Sequence, residues 1–118
     1  MDFHKLNKII KCDSYLLSRI DETLDALCKA KYFSVCDCLA GFWQTPVEEG
    51  DKEKLAFIIP TGLYEFNVVP FGLTNAPPSF QRIMNVVLAG LTWECCLVYI
   101  DDILIYSATF EDHLTYLE

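Results

Sequence analysis

The sequence predicts an α+β fold, an antiparallel sheet backed by helices. Three observations carry that expectation. Two strongly β-forming runs, Cys95–Ile100 and Ile103–Tyr106, flank Asp101-Asp102 and read as a hairpin with two carboxylates at or near its tip. Phe80, Ile83, Met84, Val87, Leu88 and Leu91 recur at i, i+3, i+4 spacing and predict a helix over about 77–90. A further β-type run, Tyr32–Cys36, ends on a lone acid, Asp37.

Taken in order, residues 1–13 are mixed in character and read as extended or loose. Ser18, with Asp21 three residues on, marks a helix start. Ile20, Leu24, Leu27 and Cys28 then carry helical spacing to about residue 29. After the Tyr32–Cys36 strand, Gly41 breaks the chain and Phe42–Val47 reads as extended. Glu48–Lys52 is a polar turn. Leu55–Ile59 and Leu63–Val69 form two strands joined through Pro60-Thr61-Gly62. Prolines at 77 and 78 open the long helix. Thr109 with Asp112 caps a last helix.

The 118 residues suit one domain or a piece of a larger one. A hydrophobic share of 53% and an aromatic share of 14% exclude a disordered tail. The longest apolar runs fall far short of the ~20 residues a membrane span needs. The opening Met1-Asp2-Phe3-His4-Lys5 has no signal-peptide pattern, so a cytoplasmic or nuclear protein without membrane association is expected. Six cysteines at spacings such as Cys36-Asp37-Cys38 and Cys95-Cys96 suit neither the usual zinc pattern nor a disulfide framework. They read as small buried hydrophobes in a reducing compartment.

The net charge of −8 lacks the basic footprint of a nucleic-acid binder. Its distribution says more. Six of the nine cations lie in the first 31 residues, and no Lys or Arg follows Arg82. Asp101 and Asp102 repel each other and have no neighbouring cation. Pairing the Asp37 strand with the hairpin would gather three carboxylates. Such a cluster suits Mg²⁺, a hard cation with oxygen ligands that leaves positions open for phosphates. Two such ions ~3.5–4 Å apart serve phosphoryl transfer. On residue types alone this metal-phosphate site and a solvated turn stand as equal alternatives.

Longer blocks add a family resemblance. They are Lys5-Leu6-Asn7, Arg19-Ile20-Asp21-Glu22, Ala30-Lys31-Tyr32-Phe33-Ser34 leading to Asp37, and Gly41-Phe42-Trp43-Gln44. Gly62-Leu63-Tyr64-Glu65-Phe66, Val69 through Pro77, Phe80-Gln81-Arg82-Ile83-Met84-Asn85, and Val98 through Ser107 with its Tyr99-Ile100-Asp101-Asp102 follow. Over residues 5–118 these blocks resemble, in order, the palm and part of the fingers of reverse transcriptases from gypsy-type LTR retrotransposons. The resemblance implies a palm core at about 19–42 and 70–118 and a fingers portion at about 43–69. It implies RNA-directed DNA polymerase activity, adding dNTPs to a primer 3′-OH on an RNA or DNA template.

By the same resemblance, Asp37, Asp101 and Asp102 are the catalytic acids. With the backbone carbonyl of Cys38 they hold two Mg²⁺ ions, Mn²⁺ being an alternative. Backbone N–H groups of Ala40 and Gly41 approach the triphosphate. Phe42 is placed as an aromatic gate against a ribose 2′-OH, or else is an ordinary core aromatic. Phe71 and Gly72 lie over the nucleotide and template, and Tyr99 touches the primer end. The sequence departs from the family pattern at Leu16, Ser18, Cys38, Ala40 and Leu55, none of them an acid of the cluster. The resemblance places a basic fingertip segment before Met1, and thumb, connection and RNase H regions after Glu118, as parts of a longer Pol polyprotein. Two other classes compete. One is an inactive truncated or domesticated remnant acting as an interaction module. The other is a metal-dependent nuclease or phosphatase, which would want a His or Lys beside the acids.

Overall fold

A computed structural model describes residues 1–15 and 19–118. Leu16, Leu17 and Ser18 lie outside the described residues, and with them the expected Ser18 cap and the departures at 16 and 18. The elements run α1 (His4–Asn7), α2 (Ile20–Leu27), β1 (Tyr32–Asp37), a 3₁₀ turn (Gly41–Gln44), α3 (Glu49–Lys52), a second 3₁₀ turn (Glu53–Leu55), β2 (Phe57–Ile59), β3 (Gly62–Tyr64), α4 (Ala76–Val87), β4 (Cys96–Tyr99), β5 (Asp102–Ser107) and α5 (Phe110–Leu117). The fold is the expected α+β type. No helix among the described residues is long and apolar enough to cross a membrane.

The main sheet is antiparallel with order β1-β5-β4. The hairpin strand β5 is therefore central, and the lone-acid strand β1 pairs with it along its length. Register puts Cys36, Ile103 and Val98 in one cross-strand row. Because side chains alternate between faces, this row points to the face opposite the Asp37–Asp102–Tyr99 row. Val98 and Ile103 pack there against α4, in a core with Phe42, Ala76, Phe80 and Met84. At α5, Thr109 accepts a hydrogen bond from the Asp112 N–H, the cap expected of that pair. His113 of α5 is buried and shares a hydrogen bond with Ser34 of β1.

Several expectations are corrected. The N-terminal segment is not loose, because polar side chains lace it to the segment around α4. Asn7 donates to the Gly72 carbonyl and accepts from the Thr74 N–H. Asn75 accepts from the Asp13 N–H and donates to the Lys11 carbonyl. Arg82 forks onto both oxygens of Asp13 at 2.8 Å each and lies over the Tyr15 ring. Phe3 is buried beside Phe66. Only the second half of residues 42–47 is extended: left-handed backbone at Ala40 (φ 51°, ψ 48°) reverses the chain and Gly41–Gln44 coils so that the Phe42 ring enters the core, whereas Thr45 is extended and Thr45–Val47 bond to Asn67–Val69. The polar turn at 48–52 is one helical turn, and Leu55, expected to open a strand, is buried at the end of the 3₁₀ turn that follows. The small hairpin keeps only three residues per strand, and pairing beyond it returns as a single Pro46–Val68 bridge. In α4, Phe80 and Met84 are buried, whereas Ile83, Val87 and the following Leu91 are exposed. All six cysteines are free, but only Cys95 and Cys96 are buried; Cys12, Cys28 and Cys36 are exposed and Cys38 is intermediate.

Candidate active site

Asp37 ends β1 and Asp102 begins β5, and they are direct cross-strand partners. Opposed residues of an antiparallel pair have Cα atoms about 4.5–5.5 Å apart and side chains on one face. Tyr99, Asp102's partner on its other side, completes the row and is 56% exposed. Asp101 lies in the two-residue turn, Ile100-Asp101, between β4 and β5. Its carbonyl accepts the Cys38 N–H at 2.9 Å, which pins the turn to the end of β1. Asp37 is thereby brought to the Asp101-Asp102 turn, which lies more than sixty positions on in sequence.

Their electrostatics follow from this placement. Asp101 Oδ1 is buried with no hydrogen-bond partner. Burial, and then the charges of Asp37 and Asp102, push its carboxyl above the ordinary range. Cys38 packs against the core, and burial together with Asp101, Asp37 and Asp102 pushes its thiol upward. A thiol held protonated is a poor metal ligand. Among the described residues no three acid, His or Cys side chains close on one point as a ready-made cage. An all-oxygen donor set, an orphaned carboxylate oxygen and the absence of any cation among the causes of the Asp101 shift together fit a hard divalent ion.

Gly41 makes room for this arrangement. A Cβ there would stand 2.7 Å from Phe80 Cζ and closer still, at 2.4 Å, to Asp101 Oδ1. Ala40 and Gly41 lie at the start of the 3₁₀ turn, where a helical turn leaves its first N–H groups without internal partners. Phe42 is a core aromatic, edge-on to Phe80 (5.6 Å, 83°) and 5.3 Å from Phe71. Phe71 is half exposed, and the exposed Trp43 ring meets it edge-on. Gly72 takes a left-handed φ of 95° and is held through its carbonyl by Asn7.

Two residues beside the site have no role in the sequence reading. Trp43 is one. The other is Gln81, buried to 2% exposure, whose amide reaches both the Val98 carbonyl and the Ile100 N–H. A polar residue bordering the apolar stripe of α4, three positions before Met84, was the available signal for Gln81.

Known proteins resemble this chain in sequence and in fold. Over 118 residues the chain is 42% identical to the retrovirus-related Pol polyprotein from transposon 297 of Drosophila melanogaster, covering all of this chain and 11% of that protein. It is 42% identical over 117 residues to the enzymatic polyprotein of cauliflower mosaic virus (strain Strasbourg), covering 99% of this chain and 17% of that one. The chain thus spans under a fifth of either relative. Its fold superposes with a TM-score of 0.84 on a foamy viral protease-reverse transcriptase in complex with RNA/DNA hybrid, at 26% identity over 98% of this chain and 16% of the other. Residues 1–118 match the family described as reverse transcriptase (RNA-dependent DNA polymerase), and the chain belongs to that family.

Proposed function

We propose that the chain carries the nucleotidyl-transfer centre of an RNA-directed DNA polymerase from a retrotransposon of gypsy type. The observation that supports the reading is the backbone placement of Asp37, opposite Asp102 and beside a Cys38 N–H that bonds the Asp101 carbonyl, with one buried Asp101 carboxylate oxygen unpartnered. In the reaction a primer 3′-OH attacks the α-phosphate of a dNTP in line and pyrophosphate leaves.

Asp37, Asp101 and Asp102, with the Cys38 carbonyl, would hold two divalent ions, Mg²⁺ or Mn²⁺. Bound there, such ions would lower the pKa of the attacking hydroxyl and neutralise charge on the leaving group. The protein's own part is positioning. Ala40 and Gly41 present backbone donors toward the triphosphate, and the absence of a Gly41 side chain keeps the Asp101 carboxylate in place. Phe71 and Gly72 cover the nucleotide, Tyr99 meets the primer end, and Phe42, seated behind Phe71, limits space at the sugar. Residues 43–69 act as a fingers portion and residues 19–42 and 70–118 as the palm core. Partners in this reading are an RNA or DNA template-primer, a dNTP and the remaining regions of a longer polyprotein.

Primer extension on an RNA template with Mg²⁺ tests the proposal. Incorporation that disappears in Asp101→Asn is the expected result. Strand hydrolysis without dNTP addition, or incorporation that survives Asp101→Asn, would overturn it.

A further inference from the structure

The turn that carries Asp101 is strained, and one buried side chain spans it. Ile100 sits at φ 55°. For a β-branched residue that is a true outlier, because its Cβ crowds the carbonyl in left-handed backbone. Nothing local favours it: no Gly or Asn occupies Ile100 or Asp101, the two turn positions. The compensating contact comes from α4. Gln81 Oε1 accepts the Ile100 N–H, and Gln81 Nε2 donates to the Val98 carbonyl and to Asn85 Oδ1. The amide has one orientation that satisfies all three partners, its oxygen on the N–H and its nitrogen on the two oxygens. Asn85 in turn donates to the Tyr15 hydroxyl, which ties this network to the N-terminal segment.

We propose that Gln81 is a positioning residue of the polymerase centre: by bracketing Tyr99 from both sides, its amide holds Ile100 in left-handed backbone and so aims the Asp101 carboxylate into the acid cluster. The proposal rests on the polymerase reading of the site. Gln81 itself touches no reacting atom. Its side chain lies among the core of α4 and β4, and it acts only through the turn.

The test uses this chain, Gln81→Met of similar length, and Gln81→Met combined with Ile100→Gly, which removes the backbone strain. Two quantities are read: hydrogen exchange of single amides without metal, and Mn²⁺ affinity by the resonance of free Mn²⁺. In Gln81→Met the Ile100 amide is expected to exchange at least about tenfold faster, while the Leu88 amide, bonded to Met84 at the C-terminal cap of α4, keeps the exchange rate it has in the parent chain. Mn²⁺ affinity is expected to fall about tenfold, the usual size of a supporting-shell loss. The added Ile100→Gly is expected to restore most of that affinity. An unchanged Ile100 amide in Gln81→Met, or a lost affinity that Ile100→Gly fails to restore, overturns the proposal, since a packing role would not be rescued at residue 100. Should Gln81→Met alone fail to fold, folding of the double variant is the expected result and failure of both overturns it. If the parent chain holds Mn²⁺ no better than Asp101→Asn, the polymerase reading fails instead, and the exchange data still decide whether Gln81 sets the turn.

Discussion

Replacing Gly41 with alanine separates the acid cluster from the packing that surrounds it. Gly41 is absent from the glycines with left-handed φ, so the backbone accepts a side chain there and the cost lies in contacts alone. The new Cβ would stand 2.4 Å from Asp101 Oδ1, where ordinary contact begins near 3.4 Å. Phe80, the other neighbour, at 2.7 Å, is a core ring with little freedom. The carboxylate at the end of its side chain yields first, and it must retreat by about 1 Å. Overpacking of this kind costs about 1–3 kcal/mol. Reduced chain entropy in the unfolded state offsets about 0.4–1 kcal/mol of it. The net loss of stability is therefore between about 0 and 2.6 kcal/mol. Function suffers more, because a displacement of about 1 Å at a reacting centre costs about 100-fold. Mn²⁺ affinity measured on the folded chain should fall about 10- to 100-fold, while urea denaturation shows only the modest stability loss. If Asp101→Asn abolished Mn²⁺ binding but Gly41→Ala left it within about twofold, the reasoning that Gly41 keeps the carboxylate in place would be wrong.

Three further expectations follow from the same geometry. Asp101 binds its proton more tightly in the folded chain than in the unfolded one, owing to burial and to Asp37 and Asp102. Stability is thereby lost as pH rises from the ordinary carboxyl value of 3.8 through the raised folded value, and the loss persists at neutral pH. Asp101→Asn should thus be more stable than the parent at neutral pH, with the gap closing in acid below 3.8; equal denaturation midpoints at pH 7 would contradict this. Arg82→Lys keeps the charge but loses the paired 2.8 Å bonds to Asp13 and the stacking on Tyr15, and should cost about 1 kcal/mol in thermal unfolding; a Tm unchanged within about 1 °C would show that the N-terminal segment is held by other contacts. Exposed apolar side chains, among them Ile20 at 77%, Leu24 at 61% and Val35 at 67%, should make the isolated chain self-associate and bind hydrophobic dyes. A monomer at tens of micromolar that binds no dye would argue against this.

The larger elements and the identity of the acids were legible in the residues themselves. The strand ending at Asp37, the hairpin around Asp101, the Pro-opened helix and the Thr109 cap rest on local periodicity and capping chemistry, and these act over a few positions along the chain. The segment between Gly41 and Val69 was read less well. A left-handed Ala40 carries no mark in sequence, and the Phe42 ring turns inward only because Phe80 and Phe71 are there to receive it. The same holds for the N-terminal segment, whose order comes from Asn7, Asn75 and Arg82 across more than sixty positions. Residue types and order thus determined which carboxylates this protein has and which strands carry them. Tertiary structure decided that Asp37 stands opposite Asp102, that Asp101 keeps an unpartnered oxygen beside Gly41, and that Gln81 grips a strained Ile100. The physical reason is range. Local backbone preference is written in neighbouring residues, whereas close approach, burial and charge repulsion exist only once distant segments meet.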